Sequence, residues 1–206
     1  MTTREATPTH SAFLELKEER VGMQEGYRFL DEKRLILGSG ILAALGVSSK
    51  ELAAFRAVYA AAGKALRAAV ARHGLEGLSV YPPAPHPQGE VRLRERSVLG
   101  VRVQETQWPK SPAPGFGAEP PEAVDRSPEG DACRAAFLLL IPRCVRLADL
   151  AANLERLRAE YARTARRARA MEDVLLPEID ATLAAIDTAL EELEREEAVR
   201  VRRTAG

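Results

Sequence analysis

Apolar positions fall into two long runs separated by a proline-rich interval. In the first, Phe13, Leu16, Arg20, Met23, Tyr27, Leu30, Arg34, Leu37, Ile41 and Ala44 advance by alternating steps of three and four. That is the spacing of a heptad seam along one helix face. Arg20 and Arg34 occupy seam positions, where a guanidinium is tolerated if its stem packs while its head reaches water or a carboxylate. Thr7 followed by Pro8 predicts the helix start, with the hydroxyl as N-cap and proline at the first helical position. Gly46 predicts an end, and Ser48 with Glu51 a capping box that restarts the helix. Leu52, Phe55, Tyr59, Ala62, Leu66 and Ala69 then carry the spacing to His73 and Gly74. The pattern thus predicts an N-terminal helical arm over 7–73, either with a break or kink near 46–49 or as one continuous bent helix.

Residues 74–131 form a predicted head. Ten prolines between Pro82 and Pro128 keep regular structure short there. Glu90–Arg96 and Val98–Gln104 alternate apolar and polar residues, which predicts a short β-hairpin at about 89–104. The stretch 110–130 reads as loop.

A second arm is predicted over 132–203, with Pro142 marking a first turn or kink. Leu147, Leu150, Leu154, Leu157, Tyr161, Thr164, Ala168, Met171 and Leu175 form its seam. Around Pro177 the rhythm lengthens to successive steps of four through Ile179 and Leu183, before Ile186, Leu190 and Leu193. Proline and the phase shift together predict an irregularity at 175–183. As one helix, 142–203 extends about 90 Å at about 1.5 Å per residue, whereas a compact domain of this size has a radius of gyration of about 17 Å. Such a helix needs a partner along its length. The expected fold class is therefore mainly α: a long antiparallel two-helix coiled coil formed by the two arms, with a small hairpin-bearing head.

Composition agrees with this picture. Apolar residues make up 46% of the 206, but aromatics only 5%, a balance that favours long helices over a thick core. Thirty basic residues meet thirty acidic ones. Locally the charges separate: 156–169 holds six Arg against Glu160, and 178–197 eight acids against Arg195. The basic strip runs straight into the acidic one, and no aromatics interleave it for stacking, so nucleic acid is not an expected partner. No run of about 18 apolar residues exists, so direct membrane insertion is not expected. The N-terminus lacks the apolar core of a secretion signal, which predicts a cytoplasmic protein. Cys133, Cys144, His10, His73 and His86 are too scattered for a zinc site. There is no GxxxxGK[ST] loop, and Gly38-Ser39-Gly40 is too slight a signal for a phosphate site. No catalytic, cofactor or metal residue is therefore expected. On periodicity alone, the chain reads as a coiled-coil adaptor or structural interaction protein.

The terminal segments carry a more specific pattern. Thr7-Pro8-Thr9, Leu14, Leu16 and Lys17 are followed by Gly26, Leu30, Lys33 and Arg34. Ser97-Val98-Leu99-Gly100-Val101 lies in the middle. Arg166, Arg167, Met171, Glu172, Leu176, Pro177, Thr182 and Ile186 lead into an acidic run containing Glu194, Arg195 and Glu196. This pattern resembles the D subunit of the V-type and archaeal (A-type) rotary ATPases over about half the chain. It departs at Arg169, where that family usually carries asparagine. The resemblance implies a non-catalytic rotor in the central stalk, standing within the hexamer of A and B subunits. Such a rotor couples ATP hydrolysis or synthesis to transport of protons or sodium. It also implies partners in the F subunit of the stalk and in the subunit connecting the stalk to the membrane ring, and a place peripheral to the membrane. The motif residues just named become candidate rotor contacts, and the hairpin a candidate regulatory element.

Overall fold

The computed structural model describes residues 8–82, 92–107 and 125–204. In chain order these form helix α1 (His10–Val80), strands β1 (Arg92–Val98) and β2 (Val101–Gln107), helix α2 (Pro128–Ala170), a π-helical turn (Met171–Leu175) and helix α3 (Leu176–Thr204). The chain divides into two compact units: Met1–Gly38 with Glu160–Gly206, and Ser39–Ala159. Each unit takes a segment from both long arms.

In the first unit, α1 begins on Thr9, whose hydroxyl accepts from the Ala12 amide at 3.2 Å; the expected cap Thr7 lies outside the described residues. Pairing with the C-terminal helices runs in reverse order. His10 approaches Glu194 at 3.9 Å, Arg20 meets Asp180, and Lys33 meets Glu160. The helices are therefore antiparallel. Leu37, Thr164, Ala168, Ile179, Ile186 and Leu190 are buried along the seam. Arg20 and Arg34 follow the snorkelling expectation, Arg20 reaching the Asp180 carboxylate and Arg34 that of Asp31.

The C-terminal irregularity lies upstream of its predicted place. The five residues Met171–Leu175 are π-helical, and the Leu176 amide donates to the Met171 carbonyl five residues back. Proline at 177 has no N–H and its ring crowds the carbonyl four residues before it, so the distortion falls in the preceding turn. The extra residue changes which leucine faces inward. Leu176 is half-buried while Leu175 is exposed, so the inward positions step by five from Met171 to Leu176 rather than by four to Leu175.

Of the two forms expected at 46–49, the second unit shows the continuous one. α1 is helical through these residues, and the Ser49 hydroxyl donates to the Gly46 carbonyl as an intrahelical bond instead of capping a new helix. The inward positions continue in unbroken three-four steps through Ile41, Ala44, Ser48, Glu51, Phe55, Val58, Ala62, Ala65 and Ala69. Leu52, Tyr59 and Leu66, expected in the seam, are exposed. α1 instead departs from helical geometry at Gly74, where φ is 72°.

α2 begins at Pro128, within what reads in sequence as loop. Ser127 accepts from the Gly130 amide at 3.0 Å as its N-cap, and Pro128 takes the first helical position. Pro142 lies well inside the helix, neither opening nor ending it. Antiparallel pairing recurs here, with Glu51 bound to Arg146 at 3.0 Å and Arg143 at 3.8 Å.

The hairpin pairs Arg92 with Gln107 through to Val98 with Val101. Its two-residue turn, Leu99 at φ 50° and Gly100 at φ 85°, is left-handed at both positions, as a tight hairpin turn requires. The turn thus assigns Val98 to the first strand and extends the second to Gln107, beyond the expected 98–104; Glu90 and Val91 lie outside the described residues.

By length and composition α1 is apolar enough to cross a membrane, which its interrupted apolar runs did not suggest. Within the second unit, however, the helix paired with it carries Arg143, Arg146 and Asp149. Placing such ions at a bilayer centre costs about 2.5–3.5 kcal/mol each.

Candidate functional site

Three of the motif residues meet around the π turn of the first unit. Gly26 faces Met171, whose Cε lies 3.3 Å from where a β-carbon on residue 26 would sit. The next residue on each helix completes the contact: the Tyr27 hydroxyl hydrogen-bonds Glu172, and this bond first, then partial burial, raises the phenol's pKa. Leu30 is half-buried on the same seam. One turn further, Lys33 Nζ donates to Glu160 Oε1 at 2.7 Å, both side chains being about four-fifths buried. That bond, aided by the charges of Arg163 and Arg167, holds the Glu160 carboxyl below its ordinary range. The site clamps one helix to the other at a backbone irregularity and just before it.

The remaining motif residues lie outside this clamp. Arg34 pairs within its own helix with Asp31. Arg166 and Arg167 are exposed. Arg195 bridges Glu191 and Glu192, Glu196 faces Arg200 at 3.7 Å, and Glu194 reaches His10. These acids and arginines form a solvated, locally paired surface. Pro177 is exposed just after the π turn. Gly100 belongs to the second unit, where it forms the hairpin turn.

That unit contains a second clamp, which periodicity and motif spacing did not indicate. Asp149 accepts from both the amide and the hydroxyl of Thr106, each at 2.6 Å. Asn153 exchanges hydrogen bonds with the Gln104 backbone, accepting from its amide at 2.9 Å and donating to its carbonyl at 2.6 Å. Arg156 donates to the Gln104 side chain at 2.6 Å. The side chains of α2 thus satisfy the outer edge of β2, which a two-stranded ribbon otherwise leaves open. A polar stripe at 149, 153 and 156 was the available signal; it reads equally well as a solvated helix face.

His73, Ser127 and Asp125 also converge there. A histidine nitrogen and the Ser127 hydroxyl share a 2.6 Å hydrogen bond, and Asp125 lies 3.6 Å from the other nitrogen. The order is that of a hydrolase triad, but Ser127 is only 2% exposed and its hydroxyl caps α2. A nucleophile needs substrate access, so this array is a fastening between the end of α1 and the start of α2. Among the described residues no group of three or more His, Cys, Asp or Glu side chains is arranged to hold a metal ion.

Comparison with known proteins gives one consistent result. The family model for the ATP synthase D subunit matches residues 12–206. The A-type ATP synthase D subunit of Thermococcus sibiricus is 30% identical over 203 residues, covering 95% of this chain and 91% of the relative. The V-type ATP synthase D subunit of Thermotoga neapolitana is 26% identical over 197 residues, 95% of each chain. The A-type D subunit of Methanoregula boonei is 26% identical over 207 residues, 98% of this chain and 97% of the relative.

Proposed function

The chain belongs to the family of ATP synthase D subunits and is a component of an A/V-type rotary ATPase; on that premise we propose that it is the complex's central-stalk rotor. In this role it carries no catalytic group. It turns within the hexamer of A and B subunits and couples their ATP hydrolysis or synthesis to transmembrane proton or sodium transport. The F subunit of the stalk and the subunit joining the stalk to the membrane ring are its further partners, and its place is cytoplasmic, peripheral to the membrane.

The observation that best supports this reading is the clamped antiparallel helix pair of the first unit. A rotor must transmit torque without shearing along its axis. Interlocked seam residues resist sliding, while the half-buried Lys33–Glu160 bond and the Gly26–Met171 contact fix register. The exposed Arg166, Arg167, Glu194, Arg195 and Glu196 are proposed as contacts to the surrounding ring, where weak, solvated charges permit sliding past each interface.

Purification of the native complex under mild conditions tests the proposal. The chain is expected to co-elute with A, B and F subunits, and a label fixed to it to rotate relative to an immobilised hexamer during ATP turnover. A self-sufficient homodimer free of ATPase subunits would replace the rotor with a coiled-coil adaptor; a label that stays fixed during turnover would place the chain in the stator.

A further inference from the structure

Between buried Ala168 and half-buried Leu176, Met171 alone turns inward; Arg169, Ala170 and all of residues 172–175 are exposed. A regular seam places an inward residue every three or four positions, and the π turn lengthens the second of these steps to five. Opposite Met171 stands Gly26, which has no side chain to fill the space if the methionine withdraws. Helix contact at this level therefore passes through one thioether lying on bare backbone. Its Sδ is 3.9 Å, and its Cε 3.3 Å, from where a β-carbon on residue 26 would sit.

A thioether is soft and apolar until it is oxidised, when it becomes a polar group with a strong acceptor oxygen. We propose that Met171 is a reversible oxidation site, and that its sulfoxide slackens the helix pair at the π turn. Met171 is half-buried, packed enough to matter to the seam and open enough to meet a molecule as small as hydrogen peroxide. The sulfur gives two electrons to the peroxide and takes one of its oxygen atoms; the O–O bond breaks, and the other oxygen leaves as water. Methionine sulfoxide reductase reverses the step: two thiols become a disulfide, and the sulfoxide oxygen leaves as water.

The sulfoxide oxygen has two places to go. Facing Gly26, it is an acceptor in an apolar contact, beside a helix whose amides are engaged in their own hydrogen bonds. Facing water, it swings the side chain outward and lifts Cε off the glycine. Either way the single inward contact at this level is lost, and nothing on residue 26 replaces it. The Lys33–Glu160 bond, about two turns along α1, still holds the helices together, so the effect is local loosening rather than unfolding. Met23 is a built-in comparison: it is also half-buried, but on α1 its inward neighbours Arg20 and Gly26 follow at ordinary three-residue steps. The inference does not depend on the rotor role, because the chemistry and the loosening are both read on the full chain alone.

The full chain is treated with hydrogen peroxide and its sulfoxides are located by mass spectrometry. The Leu176 amide, which donates to the Met171 carbonyl across the π turn, is followed by hydrogen exchange. Met171 is expected to oxidise, and exchange at Leu176 to become at least tenfold faster, returning to its starting rate after treatment with the reductase. Met171→Leu keeps an apolar side chain of similar volume and should abolish the response, whereas Met23→Leu should retain it. Met171→Gln, which puts an amide oxygen near the place of the sulfoxide oxygen, should exchange fast without peroxide. A Met171 that stays reduced while Met23 oxidises would overturn the proposal. So would an oxidised Met171 with unchanged exchange at Leu176, wild-type exchange in Met171→Gln, or a response that persists in Met171→Leu, which would place the oxidation at Cys133 or Cys144 instead.

Discussion

Gly26 and Met171 touch so closely that a methyl group on residue 26 would lie 3.3 Å from the methionine Cε. The contact sits where α2 passes into the π turn, so helix approach and backbone irregularity coincide. Met171 is flexible and can retreat by a few tenths of an ångström. Alanine in a helix gains about 0.5–1 kcal/mol over glycine, which offsets that crowding. Gly26→Ala should therefore leave stability within about 0.5 kcal/mol of wild type, given that propensity gain, whereas Gly26→Leu should destabilise by about 1–3 kcal/mol through overpacking. Urea unfolding of the two variants checks the difference.

Glu160 gives the first unit a defined response to acid. Its folded pKa lies below the ordinary 4.5, chiefly through the hydrogen bond from Lys33. A carboxyl depressed on folding stabilises fully above its unfolded pKa, and that contribution is lost as pH falls from about 4.5 through the lower folded value. Lys33→Met should be less stable than wild type by about 1 kcal/mol at pH 7, and the gap should narrow as pH falls towards 3. Thermal melts of both proteins across that range measure it.

Pro177→Ala separates the proline from the π turn it accompanies. A proline in a regular helix interior costs about 3 kcal/mol relative to alanine. Here the π turn already accommodates the ring, so the expected gain is smaller, about 1 kcal/mol on the same scale. If the turn then becomes α-helical, Leu175 replaces Leu176 on the seam and the register beyond it changes. In the complex, the ratio of ions moved to ATP turned over should change more than the fold does. Unchanged coupling with a regularised helix would remove any functional role for the irregularity.

Asp149→Ala leaves the amide and the hydroxyl of Thr106 without their acceptor. The hairpin should loosen while the helices remain intact. Two lost hydrogen bonds to a charged group, at about 1.5 kcal/mol or more each, correspond to at least tenfold faster amide exchange at Thr106 on the scale of about 1.4 kcal/mol per decade. Circular dichroism should still report wild-type helix content. Unaltered exchange would mean that strand pairing alone holds the hairpin.

The candidate site was partly legible. Gly26, Met171, Glu172 and Pro177 stood out by their spacing, but spacing did not reveal that Tyr27 bonds Glu172 or that Lys33 lies opposite Glu160. Long side chains reach four or more residues along a partner helix, so the choice belongs to three-dimensional register. The start of α2 was available in sequence, since Ser127-Pro128 carries the same cap-and-proline signal as Thr7-Pro8; the surrounding prolines and glycines obscured it.

The sequence by itself determined the helical arms, the hairpin and an irregularity close to Pro177. Each follows from local rules: seam periodicity, strand alternation around Leu99-Gly100, and a residue without an N–H. Only the tertiary structure decided that α1 passes through 46–49, that Leu176 rather than Leu175 turns inward, and that Leu45, Leu52, Tyr59 and Leu66 lie beside the seam. These depend on helical phase, in which one residue is 100°, and phase is fixed by what the opposite helix presents rather than by the residue's own chemistry.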